Sequence, residues 1–165
     1  MREHRIGDPA TGAPPAPFLS AAGQGERAAT PQGTGMLIKA SSELTGGAIG
    51  LLESADPPGS ATVLHSHEVA ELWYILDGAY DYYVAERWLA AEAGAVVFVP
   101  PRAPHGFVAG PEGGRKLTIF VPGGTEGYFR DIHRASEAGE LTNEIMRALD
   151  TTYDLTTMGP LPPLR

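Results

Sequence analysis

The chain has 165 residues, a net charge of −8, 42% hydrophobic residues and no cysteine. That length suits one domain with a full core; the lack of cysteine excludes a disulfide scaffold and thiolate chemistry. The acidic balance, without a lysine or arginine cluster, lacks the electrostatic footprint of a nucleic-acid or anionic-membrane partner.

With 21 glycines and 15 prolines the chain is turn-rich, which favours short strands in a sandwich or barrel. The N-terminus has no apolar signal core and no stretch approaches the length of a membrane span, so a soluble, cytoplasmic protein is expected. Residues 1–35 are rich in glycine, proline and alanine and bury too little to order by themselves. They are expected as an N-terminal arm, flexible or laid against another surface such as a second subunit, with Phe18 and Leu19 as anchors.

The first strand is expected at Met36–Ala40 and the next at Thr45–Ser54, separated by a polar turn. The DPPG run at 56–59 is a turn signal. Strands then follow at Thr62–His67 and Glu71–Leu76, with Asp77-Gly78 as a hairpin turn. Ala79–Ala85 and Arg87–Ala90 form another pair, and Ala95–Val99, His105–Ala109 and Lys116–Val121 complete the series. After Pro122 the pattern becomes helical. Thr125 is placed to cap a short helix with Tyr128, Phe129 and Ile132 on one face, able either to cover the barrel mouth or to pack outside it. A second helix is expected over Asn143–Thr151, and Pro160, Pro162 and Pro163 end the chain in extended form.

Between Gly59 and Gly78 the chain reads GSATVLHSHEVAELWYILDG. Alternation along a strand turns His65 and His67 to the same side. Neutral imidazole is a good ligand for first-row divalent metals, and the carboxylate of Glu71 adds charge nearby. A third histidine, His105, follows in PPRAPHGF after the strand-like GAVVFV, whereas His4 and His133 have no partner at a ligand spacing. The spacings are G-x5-H-x-H-x3-E-x6-G, and then G-x5-P-x4-H from Gly94 through Pro100 to His105.

These two patterns resemble the two signature motifs of the cupin superfamily, and the resemblance covers residues 36–122. It implies an all-β fold: a small antiparallel cupin (jelly-roll) barrel over 36–122, with a C-terminal helical extension over 123–165. It also implies one divalent transition-metal ion bound by His65, His67, Glu71 and His105. Two positions depart from the pattern: Arg102 stands where glycine is usual, and Ala109 where asparagine is usual. Neither is a ligand.

Three imidazoles and one carboxylate leave a position open on the ion, as a catalytic metal requires. Such mixed ligands suit Fe, Ni, Mn, Cu, Co and Zn alike. Glu71 can also leave the metal and accept a proton from a substrate hydroxyl. Trp73, Phe107, Val63 and Ile75 share the inward parity, and Trp73 and Phe107 are the expected substrate-pocket residues. Tyr80 and Tyr82 fall on one face and Tyr83 on the other.

Within the superfamily the chain resembles small single-domain bacterial cupins related to quercetin 2,3-dioxygenase. The resemblance rests on ELWYILDGAYDYYV, RWLAAEAGAVVFVPPRAPHGF, VPGGTEGYFRDI and YDLTTMGPLPP. It implies oxidative cleavage of a flavonol-like enol, with dioxygen as co-substrate and Glu71 as base. The alternatives are a non-redox metal-dependent cyclase or isomerase acting on a polyketide-like substrate, and a binding module with a structural metal. A homodimer built through barrel strands, with the N-terminal arm contributing, is the expected assembly.

Overall fold

The computed structural model describes residues 14–164. Nine strands and three short helices follow in chain order: β1 (Glu26–Ala29), β2 (Gly35–Ala40), α1 (Ser42–Thr45), β3 (Gly50–Asp56), β4 (Leu64–Ser66), β5 (Ala70–Val84), β6 (Arg87–Glu92), β7 (Val96–Val99), β8 (His105–Val121), α2 (Glu126–Glu137), α3 (Asn143–Thr152) and β9 (Thr156–Gly159). Every pairing among them is antiparallel. No helix of the described residues is long and apolar enough to cross a membrane.

Two long strands form the spine. β5 and β8 pair along nearly their whole length, from Ala70↔Val121 to Val84↔His105, with register shifts at Ile75/Asp77 and Gly78/Tyr80. One end of this ribbon continues through β3, β2 and β1 on one side and β7 on the other. The opposite end carries β6 beside β5, and β4 followed by β9 beside β8. Bulges let one strand turn a corner between two sheet faces.

That corner replaces the hairpin expected at Asp77-Gly78. The dipeptide lies inside β5, because a Cβ on Gly78 would sit 2.3 Å from the carbonyl oxygen of Gly113. Gly78 also adopts φ 76°, so here glycine serves a close approach of two strands. The expected strands at His105–Ala109 and Lys116–Val121 are likewise one continuous strand. The true hairpin falls at the end of the same strand, where Ala85 (φ 45°) and Glu86 (φ 68°) join β5 to β6.

The sheet begins earlier than the expected Met36. Glu26–Ala29 pairs with β2 and buries Ala28 and Ala29, so part of the presumed arm is barrel; residues 1–13 of it lie outside the described residues. The polar segment after β2 forms the helical turn α1, capped by Ser41. Thr125 does not cap α2, having no side-chain cap bond. Glu126 does the tying instead: its carboxylate accepts from Ser42 N at 2.5 Å and Gly124 N at 2.7 Å.

Parity along β5 is as expected, with Glu71, Trp73, Ile75, Tyr80 and Tyr82 all buried. The interior also holds an ion pair: Lys116, 1% exposed, contacts Asp56, and its ammonium lies 3.1 Å from Ser54 Oγ and 3.9 Å from the Phe107 ring centre. Tyr80 donates to the same Asp56 at 2.8 Å. A buried charge is tolerated only when paired and hydrogen-bonded, as this one is.

Candidate metal centre

β4 is only three residues long, yet it presents His65 beside His105 of β8, its register partner. His67 follows in the loop, and Glu71 enters from the start of β5. His67, Glu71 and His105 are 4%, 4% and 1% exposed, while His65 is half-buried and forms the open edge of the group. The rings of His65 and His105 lie 4.3 Å apart and those of His67 and His105 4.8 Å. Among the described residues one ligand atom from each histidine falls within 4.8 Å of the others.

The backbone sets the protonation pattern. His65 Nδ1 lies 2.8 Å from the Val63 carbonyl oxygen, His67 Nδ1 3.0 Å from that of Val69, and His105 Nδ1 2.7 Å from that of Ala103. A ring nitrogen facing a carbonyl must carry the proton, so each neutral ring turns a bare Nε2 lone pair inward. Outer-sphere bonds of this type orient metal-ligating histidines.

Glu71 Oε2 lies 2.9 Å from His67 Nε2 and 3.1 Å from His105 Nε2. The first contact has hydrogen-bond geometry; the second does not, and His105 Nε2 is a buried atom with no hydrogen-bond partner. Apart from the proton that His67 and Glu71 can share, three imidazole nitrogens and a carboxylate therefore converge with no donor of their own. Only a cation satisfies such a group, a proton or a metal ion, and N/O donors of this kind suit a first-row divalent metal. The residues present fit the metal.

Charge in the cluster follows from that crowding. Burial opposes ionisation of Glu71, but His105 and His67 hold its carboxyl well below the usual carboxylate range. Burial, reinforced by the neighbouring His105 ring, pushes His65 down to about 4, so its lone pair is free at neutral pH. Burial works against the charged form of His67 as well, yet its bond to Glu71 prevails and raises it.

The expected pocket residues lie elsewhere. Trp73 stacks on Tyr82 at 4.4 Å and meets His105 edge-on at 5.6 Å. Phe107 lies beneath the Lys116 ammonium and against Tyr80. Both belong to the sealed core cluster and back the site rather than open it. Val63 is not inward at all but 40% exposed, because β4 starts only at Leu64 and the alternation does not extend to it.

The cavity that reaches His65 has a volume of about 310 Å³ and includes neither Trp73 nor Phe107 in its lining. Its floor is Thr62, Val63 and His65; the β1–β2 loop at Thr30, Pro31 and Gln32 forms one wall. The roof is C-terminal: Tyr128 and Phe129 of α2, Met146 and Asp150 of α3, then Leu155 and Thr157. α2 thus covers the mouth. Tyr128 donates to Asp150 at 2.9 Å and Tyr153 to Asp131 at 2.6 Å, crossing between the two helices. β9, which sequence reading missed, pairs with β4 through His65↔Thr157 and fastens this roof to the ligand strand. The sequence signals for the roof were the apolar face of Tyr128, Phe129 and Ile132 and the helical period over Asn143–Thr151. His133 lies on α2 beside a different cavity, with Arg27 and Glu137.

Residues 53–120 match the family model described as Cupin domain. Among solved structures, an RmlC-like cupin from Shewanella frigidimarina NCIMB 400 is 23% identical, with a TM-score of 0.56, covering 65% of this chain and 92% of that one. KdgF from Halomonas sp. is 17% identical, with a TM-score of 0.58, covering 65% and 94%. The DMSP lyase DddQ from Ruegeria pomeroyi DSS-3 is 16% identical, with a TM-score of 0.52, covering 59% and 56%. No curated protein matches the chain. Residues 53–120 are thus similar to a cupin domain, and they lie in a small antiparallel barrel of cupin fold with short C-terminal helices.

Proposed function

We propose that this protein is a metal-dependent dioxygenase acting on an aromatic or enolic, flavonol-like small molecule, with His65, His67, Glu71 and His105 as ligands. The observation that carries the enzyme reading is the cluster of three imidazoles and a carboxylate, one of whose members, His65, lines a cavity large enough for a small organic molecule. When bound, the ion supplies a Lewis-acidic position for a substrate oxygen and, if it is redox-active, a meeting point for substrate and dioxygen.

The chain's own residues do the remainder. The carbonyls of Val63, Val69 and Ala103 hold the three imidazoles in one tautomer. Tyr128, Phe129, Met146 and Leu155 line the cavity with apolar surface and exclude water from the bound molecule. Glu71, anionic and buried, holds the ion and accepts the proton of a substrate hydroxyl.

The test is oxygen uptake with a flavonol by protein loaded in turn with Fe, Ni, Mn, Cu, Co and Zn, with products identified by mass spectrometry. Uptake with at least one redox-active ion and none with zinc supports the reading. Turnover without oxygen consumption, zinc included, replaces it with the non-redox cyclase or isomerase.

A further inference from the structure

The cavity beside His65 is lined almost wholly by uncharged side chains, and Asp150 is the one acidic residue among them. Tyr128 Oη donates to Asp150 Oδ1 at 2.9 Å, which fixes the carboxylate without neutralising it. No lysine or arginine lines the cavity, and Arg147, one turn earlier on α3, forms no ion pair with Asp150 among the described residues. Asp150 is half-buried, so solvent screens it less than a surface carboxylate. Tyr128 beside it and Phe129 in the same lining add aromatic surface, a surrounding that suits a cation.

From this arrangement we infer that the substrate carries, besides its enolic oxygen, an organic ammonium group that is seated on Asp150, while the oxygen faces His65. This rests on the reading of the cavity as the substrate site. An anionic substrate meets the unneutralised carboxylate and an apolar wall that cannot hydrate it. A neutral one fits the walls but leaves Asp150 without a counter-charge. An ammonium satisfies the carboxylate, and a metal held at His65 would leave the substrate's enol oxygen to that side of the cavity.

The experiment is calorimetric titration of the full-length chain, metal-free and zinc-loaded, with 2-phenylethylamine, 2-phenylethanol and phenylacetate. The amine is expected to bind tighter than the alcohol by on the order of tenfold, and phenylacetate weakest in the metal-free chain. Asp150→Asn keeps the shape and still accepts from Tyr128; it is expected to bring amine and alcohol to equal affinity. The same comparison shows that the amine is read at Asp150 and not at Glu71. Equal affinity for amine and alcohol in the parent, an undiminished amine preference in Asp150→Asn, or no binding of any probe overturns the inference. Should Asp150→Asn fail to fold, the order of the three probes on the parent decides, and an advantage of the amine that shrinks with added salt supports it. An amine preference that stands while no enol consumes oxygen overturns the dioxygenase reading and leaves this one; oxygen turnover without any amine preference does the reverse.

Discussion

Tyr153, at the end of α3, donates a 2.6 Å hydrogen bond to Asp131 of α2, and Tyr128 of α2 returns the link by donating to Asp150 of α3 at 2.9 Å. Burial and the carboxylate bond both raise each tyrosine, so both phenols stay protonated donors. The crossed pair, packed with Ile132, Met146 and Leu149, makes α2 and α3 one rigid roof. Tyr153→Phe is expected to cost about 1 kcal/mol and to speed amide exchange in α3 while β5 and β8 remain protected. Urea denaturation and hydrogen exchange read the two effects.

His67→Ala and His105→Ala should each lose most of the bound metal while keeping the barrel, whose stability comes from buried apolar area. Elemental analysis beside circular dichroism measures both. Full metal occupancy in both variants rejects the ligand assignment.

Glu71→Gln separates the two roles given to this carboxylate. The amide keeps the carbonyl oxygen and nearly the same shape but accepts no proton at neutral pH. If Glu71 takes the substrate proton, activity per bound metal falls about 10²–10⁴-fold. Normalised activity equal to the parent's leaves Glu71 as a ligand only.

The spacing of the four acceptor residues was legible because each alternates along strands or sits at a loop position fixed by glycine and proline. Their tautomers were not, since they depend on carbonyls of Val63, Val69 and Ala103 placed by the fold. The cavity was invisible in sequence for a related reason. Its walls come from the β1–β2 loop, β4, α2, α3 and β9, and no local period reports that convergence. Asp77-Gly78 misled because the same glycine that permits a turn also permits two strands to touch.

Arg102 occupies the position where the family pattern has glycine, and it adopts φ 65° while its amide donates to the His67 carbonyl at 2.8 Å. Its 2.7 Å pair with Glu68 is exposed, 76% and 48% for the two side chains, and such pairs contribute little. Arg102→Gly is therefore expected to leave stability unchanged or raise it, whereas Arg102→Val should lower it by more than about 1 kcal/mol. Urea midpoints of the three proteins decide.

Glu43 gives a pH dependence with a definite sign. Burial opposes its charge, but hydrogen bonds from Ser41 and Arg130 bring it from 4.5 to about 2. A carboxylate depressed in the folded state stabilises above its unfolded value and loses that contribution as pH falls through the folded one. The stability advantage of the parent over Glu43→Gln should therefore be constant above pH 4.5 and vanish towards pH 2. Thermal melts across that window test it, and an advantage that grows on acidification contradicts it.

The outer face of β7, β5 and β8 presents Val96, Phe98, Tyr74, Leu76 and Val121, each at least 37% exposed, with Leu72, Leu117 and Ile119 between them. A contiguous apolar patch on the order of 500 Å² marks an interface. It carries no charge, and a two-fold pairing would set the same patch against itself. A homodimer through this face is expected, with Phe98→Asp monomeric by light scattering. A monomeric parent at micromolar concentration rejects it.

The pairing of β9 with β4 has a consequence for the order of assembly. His65, His67, Glu71 and His105 all emerge from the ribosome before Thr156–Gly159 is made. Until then β4, three residues long, has only its single register pair with β8 to hold it. A chain shortened before Thr156 is therefore expected to hold β4, and the two histidines beside it, less firmly than one that carries β9.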